Sequence, residues 1–185
     1  PDGPEGIQSL KDKGITLIID LIEGDNGRSE EQALAEKLGM KYINIKTSVA
    51  DFGPDSIKQV FDAIENEIHP QDGRPPGKVF LHCARGVDRT GTIAAMWKMT
   101  HQDGWSPRLA LAEMRQFGWN GHTPATQRMG DLILNPPPEF AIRTPGEPIG
   151  LEAREIGRRD NPHSSYQRAV EAAEGDALEC GVLRD

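Results

Sequence analysis

Cysteine is scarce in this chain of 185 residues, which holds Cys83 and Cys180 and no other. Two cysteines nearly a hundred residues apart build no disulfide framework, and no second cysteine stands near Cys83 to share a zinc ion. Positive charge is in deficit as well: 21 Lys and Arg face 29 Asp and Glu, for a net charge of −8. That balance argues against a nucleic-acid footprint and against an anionic membrane surface. No apolar run approaches the length needed to span a bilayer. No glycine-rich segment ends in Gly-Lys-Ser/Thr, so a nucleotide-binding P-loop is excluded, and no internal repeat is evident. A lone reactive thiol needs a reducing compartment, and a cytoplasmic location is the expectation. The chain starts at Pro1 rather than Met, which leaves a removed leader peptide open.

What is present over the first 135 residues is an alternation of strand and helix patterns. Residues 5 to 12 read as a short helix, closed by Gly14. Ile15 to Leu21 is a continuous apolar run, the character of a strand buried on both faces. Ser29-Glu30-Glu31-Gln32 has the form of a capping box, opening a helix that Gly39 ends. A second strand centres on Tyr42 to Ile45. A helix follows from about Ser56 to His69, marked by the stripe Ile57, Val60, Phe61, Ile64 and Ile68. Residues 78 to 82 read as a third buried strand, and 90 to 100 as an apolar helix. Ser106-Pro107 and Thr123-Pro124 each provide an N-cap followed by proline at the first turn. The fold class expected is α/β: a single domain with a central, mostly parallel sheet flanked by helices. The domain is expected over residues 1–135. Residues 136–185 are expected to be a Pro-rich, extended or disordered tail, in which 165–174 has the pattern of a short helix. Cys180 lies in that tail and receives no role.

The chemistry concentrates between the third strand and the helix after it, in His82-Cys83-Ala84-Arg85-Gly86-Val87-Asp88-Arg89-Thr90-Gly91. A loop that leaves a strand and enters a helix turns successive backbone N–H groups toward one point, where the helix dipole adds positive potential. Such a field cradles a phosphate on Ala84, Arg85, Gly86, Val87, Asp88 and Arg89, and it favours the nucleophilic thiolate form of a cysteine. Arg89 offers a planar fork that matches two phosphoryl oxygens, and Gly86 permits the turn that a side chain would obstruct. Asp88 either bonds loop amides or faces solvent. Arg85 stands at the rim, where it contacts acidic groups or offsets Asp88.

The ten residues resemble the signature of the cysteine-dependent phosphatases, His-Cys-x-x-Gly-x-x-Arg-Ser/Thr-Gly, at every fixed position. Leu17-Ile18-Ile19-Asp20-Leu21, the segment Gly39 to Ile45, and Asp103-Gly104-Trp105-Ser106 extend the likeness to bacterial dual-specificity phosphatases over roughly residues 5 to 134. The resemblance implies that Cys83 attacks phosphorus and Arg89 holds the phosphoryl group. It implies that Thr90 stabilises the leaving thiolate, and that His82 orients the loop through hydrogen bonds. It also implies a general acid about thirty residues before the cysteine. Asp51 and Asp55 both qualify, and Asp51 is preferred because Asp55 has the position of a helix N-cap. Gln127 falls where some relatives position the hydrolytic water. No metal or cofactor is implied.

The activity expected is removal of phosphate from protein phosphotyrosine, extending to phosphoserine and phosphothreonine, by a monomer. A phosphorylated protein or a small phosphomonoester is the expected partner. Phosphoinositide hydrolysis is the alternative suggested by Asp88-Arg89-Thr90, although the loop has no lysine to grip a multiply phosphorylated ring. RNA 5′-triphosphatase activity and phosphate binding without turnover are the remaining alternatives. Trp105 and Trp119 are assigned to packing rather than the rim of the site, and His101 and His122 to the surface or to helix ends.

Overall fold

Strands that are apolar on both faces need a helical layer on each side, and this chain supplies both. The computed structural model describes residues 3–24, 28–140 and 142, together with the backbone of 178–182. The elements run α1 (Gly3–Asp12), β1 (Leu17–Asp20), α2 (Arg28–Lys37), β2 (Lys41–Asn44), α3 (Pro54–Ile68), β3 (Val79–Cys83), α4 (Arg89–His101), α5 (Pro107–Gln116), α6 (Pro124–Leu134) and β4 (Leu178–Val182). The strands pair in the order β2-β1-β3-β4, and every pairing is parallel.

Alternation along the strands divides the core in two. Leu17 and Ile19 of β1 join Val79, Leu81 and Cys83 of β3 in one cluster, against apolar residues of α3, α4, α5 and α6. Ile18 and Phe80 point the other way, into a smaller cluster with Ile7 and Leu10 of α1 and Ala35 of α2. Cys83 therefore belongs to one face of the sheet and His82 to the opposite one. Strand order reverses between β1 and β3, because β2 lies outside β1 and β4 outside β3. The carboxyl ends of two such strands form the crevice where open α/β sheets bind ligands.

Several local expectations shift. The polypeptide is already helical at Arg28, so Ser29 lies within the first turn of α2 rather than capping it. Arg28 is buried there, donating to Ile22 O at 2.8 Å and pairing with Asp20, a tertiary pull that the capping pattern does not contain. Helix α3 opens at Pro54 with Gly53 as its N-cap, which leaves Asp55 in the first turn and not at the cap. Ser106 and Thr123 do cap α5 and α6, accepting from Leu109 N and Thr126 N. Within the expected tail, residues 178–182 form β4 beside β3, with Cys180 opposite Leu81. The helix expected at 165–174 lies outside the described residues.

Near the amino end of the sheet, Glu67 is a buried tie between elements, 3% exposed. It accepts from Thr16 Oγ1 at 2.6 Å and Lys41 Nζ at 2.8 Å, and Arg74 Nη1 lies 3.0 Å away. Burial pushes its carboxyl pKa up, but the bonds from Lys41 and Thr16 and the charges of Lys41 and Arg74 outweigh it, and the net shift is downward. Its stabilisation is complete above the unfolded-chain pKa of about 4.3 and is lost as pH falls through the lower folded value. Glu67→Gln is expected to cost about 1–3 kcal/mol at pH 7 and less at pH 3. Urea denaturation at the two pH values measures this, and an equal cost at both would contradict the assignment.

Candidate active site

Strand β3 ends on Cys83, a free thiol that is 2% exposed, and α4 begins six residues later at Arg89. The five residues between them make a tight loop with Gly86 at φ 67°, a conformation that costs glycine nothing and other residues a steric penalty. The first turn of a 13-residue helix thus opens beside the thiol, with its free N–H groups and its dipole at the loop.

Arg89 is 8% exposed and reaches across the carboxyl ends of the strands. Its Nη1 donates to Leu21 O at 2.5 Å, just past β1, and to Thr47 O at 2.6 Å, in the segment joining β2 to α3. These two backbone carbonyls fix the guanidinium plane without neutralising its charge. Arg89 Nε is buried and has no hydrogen-bond partner, and the same holds for Thr90 Oγ1. An unpaired buried donor costs about 1–3 kcal/mol, more when charged, so both atoms mark places where a bound group restores a missing bond. A tetrahedral anion beside Cys83 has the acceptors that they lack. No cluster of His, Cys, Asp and Glu among the described residues has the geometry to hold a metal ion.

Asp88 matches neither alternative raised by the sequence. It is 8% exposed, makes no side-chain cap to α4, and accepts from Arg85 Nη2 at 2.9 Å. The two charges of the loop offset each other, and the Arg85 side chain remains 75% exposed at the rim. Ala84 is exposed beside it, while Val87 is half-buried.

His82 stands apart from the loop amides because alternation sends its ring to the α2 face. The ring is wholly buried, with Nε2 3.0 Å from Glu31 Oε1 and Nδ1 3.9 Å from Asp20 Oδ1. Neither nitrogen makes a hydrogen bond of good geometry, so the expected hydrogen-bonded support of the loop is replaced by contact with two carboxylates. Asp20, directly opposite His82 in the β1–β3 register, is a buried partner of that histidine that the sequence reading passed over. It accepts from Ile22 N at 2.8 Å, Tyr42 Oη at 3.0 Å and Asn44 Nδ2 at 3.1 Å, and pairs with Arg28 Nε at 3.3 Å. Burial pushes its carboxyl pKa up, against the lowering effects of His82, the Ile22 amide and Tyr42. Tyr42 is raised too, first by burial and then by the neighbouring Asp20 and Glu31. A charged residue inside an otherwise apolar strand was the signal available, since aspartate is almost never fully buried without partners.

Asp51 lies in the turn before α3, exposed, with Ser48 Oγ donating to its Oδ2 at 2.7 Å. The contact between Arg89 and Thr47 O draws this turn's segment to the crevice. Asp55 is exposed on α3, and Gln127 on α6. His101 is at the far end of α4, stacked on Trp97 at 3.7 Å and bonded to Glu65. His122 is exposed. Trp119 is 8% exposed, with Nε1 donating to Thr126 O, and Trp105 carries Lys98 over its ring.

With a cysteine at the end of a parallel strand, an anion cradle at a helix start and a spanning arginine, the likeness to known proteins can be set beside the geometry. A family model described as DSP-PTPase phosphatase fused to NAD+ kinase matches residues 3–128. The chain belongs to that family. This DSP-PTPase chain has the fold of a cysteine-dependent phosphatase. It is 44% identical to the dual specificity protein phosphatase TpbA of Pseudomonas aeruginosa over 43 residues, which are 23% of this chain and 19% of that protein. The match therefore spans only about a fifth of the curated relatives' length. Among solved structures, a putative phosphatase (DUF442) from Shewanella putrefaciens superposes with a TM-score of 0.55 at 18% identity, covering 72% of this chain and 81% of that one. The P. aeruginosa TpbA structure gives 0.53 at 21% identity, covering 72% and 80%. The core catalytic domain of the PP-IP phosphatase SIW14 from S. cerevisiae gives 0.53 at 20% identity, covering 69% and 74%. Likeness at these identities concerns the fold. No helix among the described residues is long and apolar enough to cross a membrane.

Proposed function

We propose that this chain hydrolyses phosphotyrosine in proteins, with phosphoserine and phosphothreonine as further substrates, through a phosphocysteine intermediate. The observation that carries the reading is the unpartnered Arg89 Nε and Thr90 Oγ1 beside a strand-terminal cysteine at a helix start. Cys83 Sγ attacks phosphorus, the bond from phosphorus to the ester oxygen breaks, and Asp51 gives that oxygen its proton. Water then attacks the same phosphorus, its proton passes to Asp51, and the phosphorus–sulfur bond breaks with Thr90 stabilising the departing thiolate. Arg89 and the loop amides stabilise the equatorial charge throughout.

Protein phosphomonoesters are favoured over highly phosphorylated rings by the composition of the loop itself. The loop's other arginine, Arg85, already faces Asp88, and the loop contains no lysine. TpbA, named as a dual specificity protein phosphatase and crystallised in a variant form with pTyr, points the same way. The test compares hydrolysis of a phosphotyrosine peptide and a phosphoinositide in EDTA, using wild type and Asp51→Asn. Peptide turnover is expected to dominate, and Asp51→Asn to lower its kcat by about 10²-fold or more. Preference for the lipid would overturn the substrate assignment, and an undiminished Asp51→Asn would overturn the acid.

A further inference from the structure

The segment that carries Asp51 is gripped by arginines from two different helices. At its start, Arg89 of α4 holds Thr47 O. Three residues on, Arg128 Nη2 of α6 donates to Ala50 O at 2.7 Å. The oxygen of Ala50 and the nitrogen of Asp51 belong to one peptide plane. The N–H edge of that plane is also occupied, because Asp51 N donates to Ser48 Oγ at 3.0 Å. The peptide unit from which the Asp51 side chain hangs is therefore pinned on both edges, on one by the turn's own serine and on the other by a distant helix.

We propose that Arg128 is a positioning residue for Asp51, setting the orientation from which that carboxyl delivers its proton. The inference rests on the reading of Asp51 as the general acid. The base of the grip is rigid: α6 is capped by Thr123 and buries Met129, Gly130 and Ile133. Its bond to the carbonyl is charge-assisted, and it falls on the peptide next to the exposed Asp51, between the core contacts of Val49 and Phe52. Arg128 itself is exposed and lines an open cleft of about 450 Å³ with Phe52, Gly53, Pro54 and Leu132. Its truncation leaves no cavity in the core, so the variant keeps the fold while freeing the turn. An acid displaced by about 1 Å loses most of its effect, and only for substrates that need a proton.

The experiment compares kcat for a phosphotyrosine peptide with kcat for an aryl phosphate whose phenol is strongly acidic and leaves unprotonated. Wild type, Arg128→Ala, Arg128→Lys, Asp51→Asn and the double variant Asp51→Asn/Arg128→Ala are measured, with thermal melts alongside. Arg128→Ala is expected to lower kcat on the peptide by roughly 10- to 100-fold with KM little changed, and to leave the activated ester near wild type. Arg128→Lys restores part of the loss, and the double variant is no slower than Asp51→Asn alone. Equal losses on both esters, or additive losses in the double variant, would overturn the role of Arg128. A selective loss in Asp51→Asn with none in Arg128→Ala would overturn this inference alone. Asp51→Asn acting equally on both esters would sink the reading of Asp51 beneath it.

Discussion

Cys83→Ser is expected to lower kcat on every phosphomonoester by about 10⁴-fold or more while leaving phosphate binding largely intact. The two halves of that expectation come from different atoms. Turnover needs an ionised sulfur, and a serine hydroxyl in the same place stays protonated at neutral pH. In the proposed mechanism, binding falls to the loop amides, the start of α4 and the unpartnered Nε of Arg89, none of which the substitution touches. Arg89 also keeps its bonds to Leu21 O and Thr47 O, so its guanidinium stays where it is without substrate. Side-chain volume is nearly conserved at a site that is 2% exposed, and the fold should be little affected. Steady-state kinetics and calorimetric titration with inorganic phosphate separate the two halves. Turnover within tenfold of wild type would remove Cys83 from the chemistry. Loss of both turnover and binding would mean that the sulfur is part of the cradle itself.

The loop was legible in the sequence because its parts are consecutive. One strand end, one turn and one helix start bring Cys83, Gly86, Arg89 and Thr90 together within a few residues, and no tertiary information is needed to see that they converge. The layered α/β arrangement was legible for a similar reason, since apolar runs and helical stripes alternate along the chain. The contacts across the crevice were not. Arg89 meets Leu21 and Thr47 only because β1 lies next to β3 and the β2–α3 segment ends at the same edge. Arg128 meets Ala50 only because α6 packs near that turn. The segment Leu178 to Val182 is short, contains glycine and follows a proline-rich stretch, so nothing local marks it as β4. Its pairing is supplied by the free edge of β3. Asp88 shows the limit of reading one residue at a time, because its partner Arg85 was considered beside it, yet the burial that makes the pair matter is a property of the fold.

Asp20→Ala is expected to destabilise the fold by about 2–4 kcal/mol at pH 7, the largest stability effect anticipated for one substitution here. Asp20 is fully buried, and its four donors come from the residues after β1, from β2 and from α2. Truncation takes their shared acceptor from Arg28, the Tyr42 hydroxyl and the Asn44 amide in a site where water has little access. Arg28 keeps its bond to Ile22 O, and Asn44 its bonds to Asp20 O and Ile22 O. Each lost bond is modest, but all of them go at once with the one buried acceptor. Asp20→Asn tests the charge separately, since it keeps the volume and one acceptor while turning an N–H group toward the donors. It should fall between wild type and alanine. Burial holds the folded carboxyl pKa above its unfolded value of about 3.9, so Asp20 stabilises most in acid and less as pH rises through the folded value. The gap between wild type and Asp20→Ala should therefore narrow from pH 4 to pH 8 in denaturant titrations. A cost below about 1 kcal/mol would show that Arg28, Tyr42 and Asn44 find other partners, and that the cluster under His82 does not hold β1, β2 and α2 together.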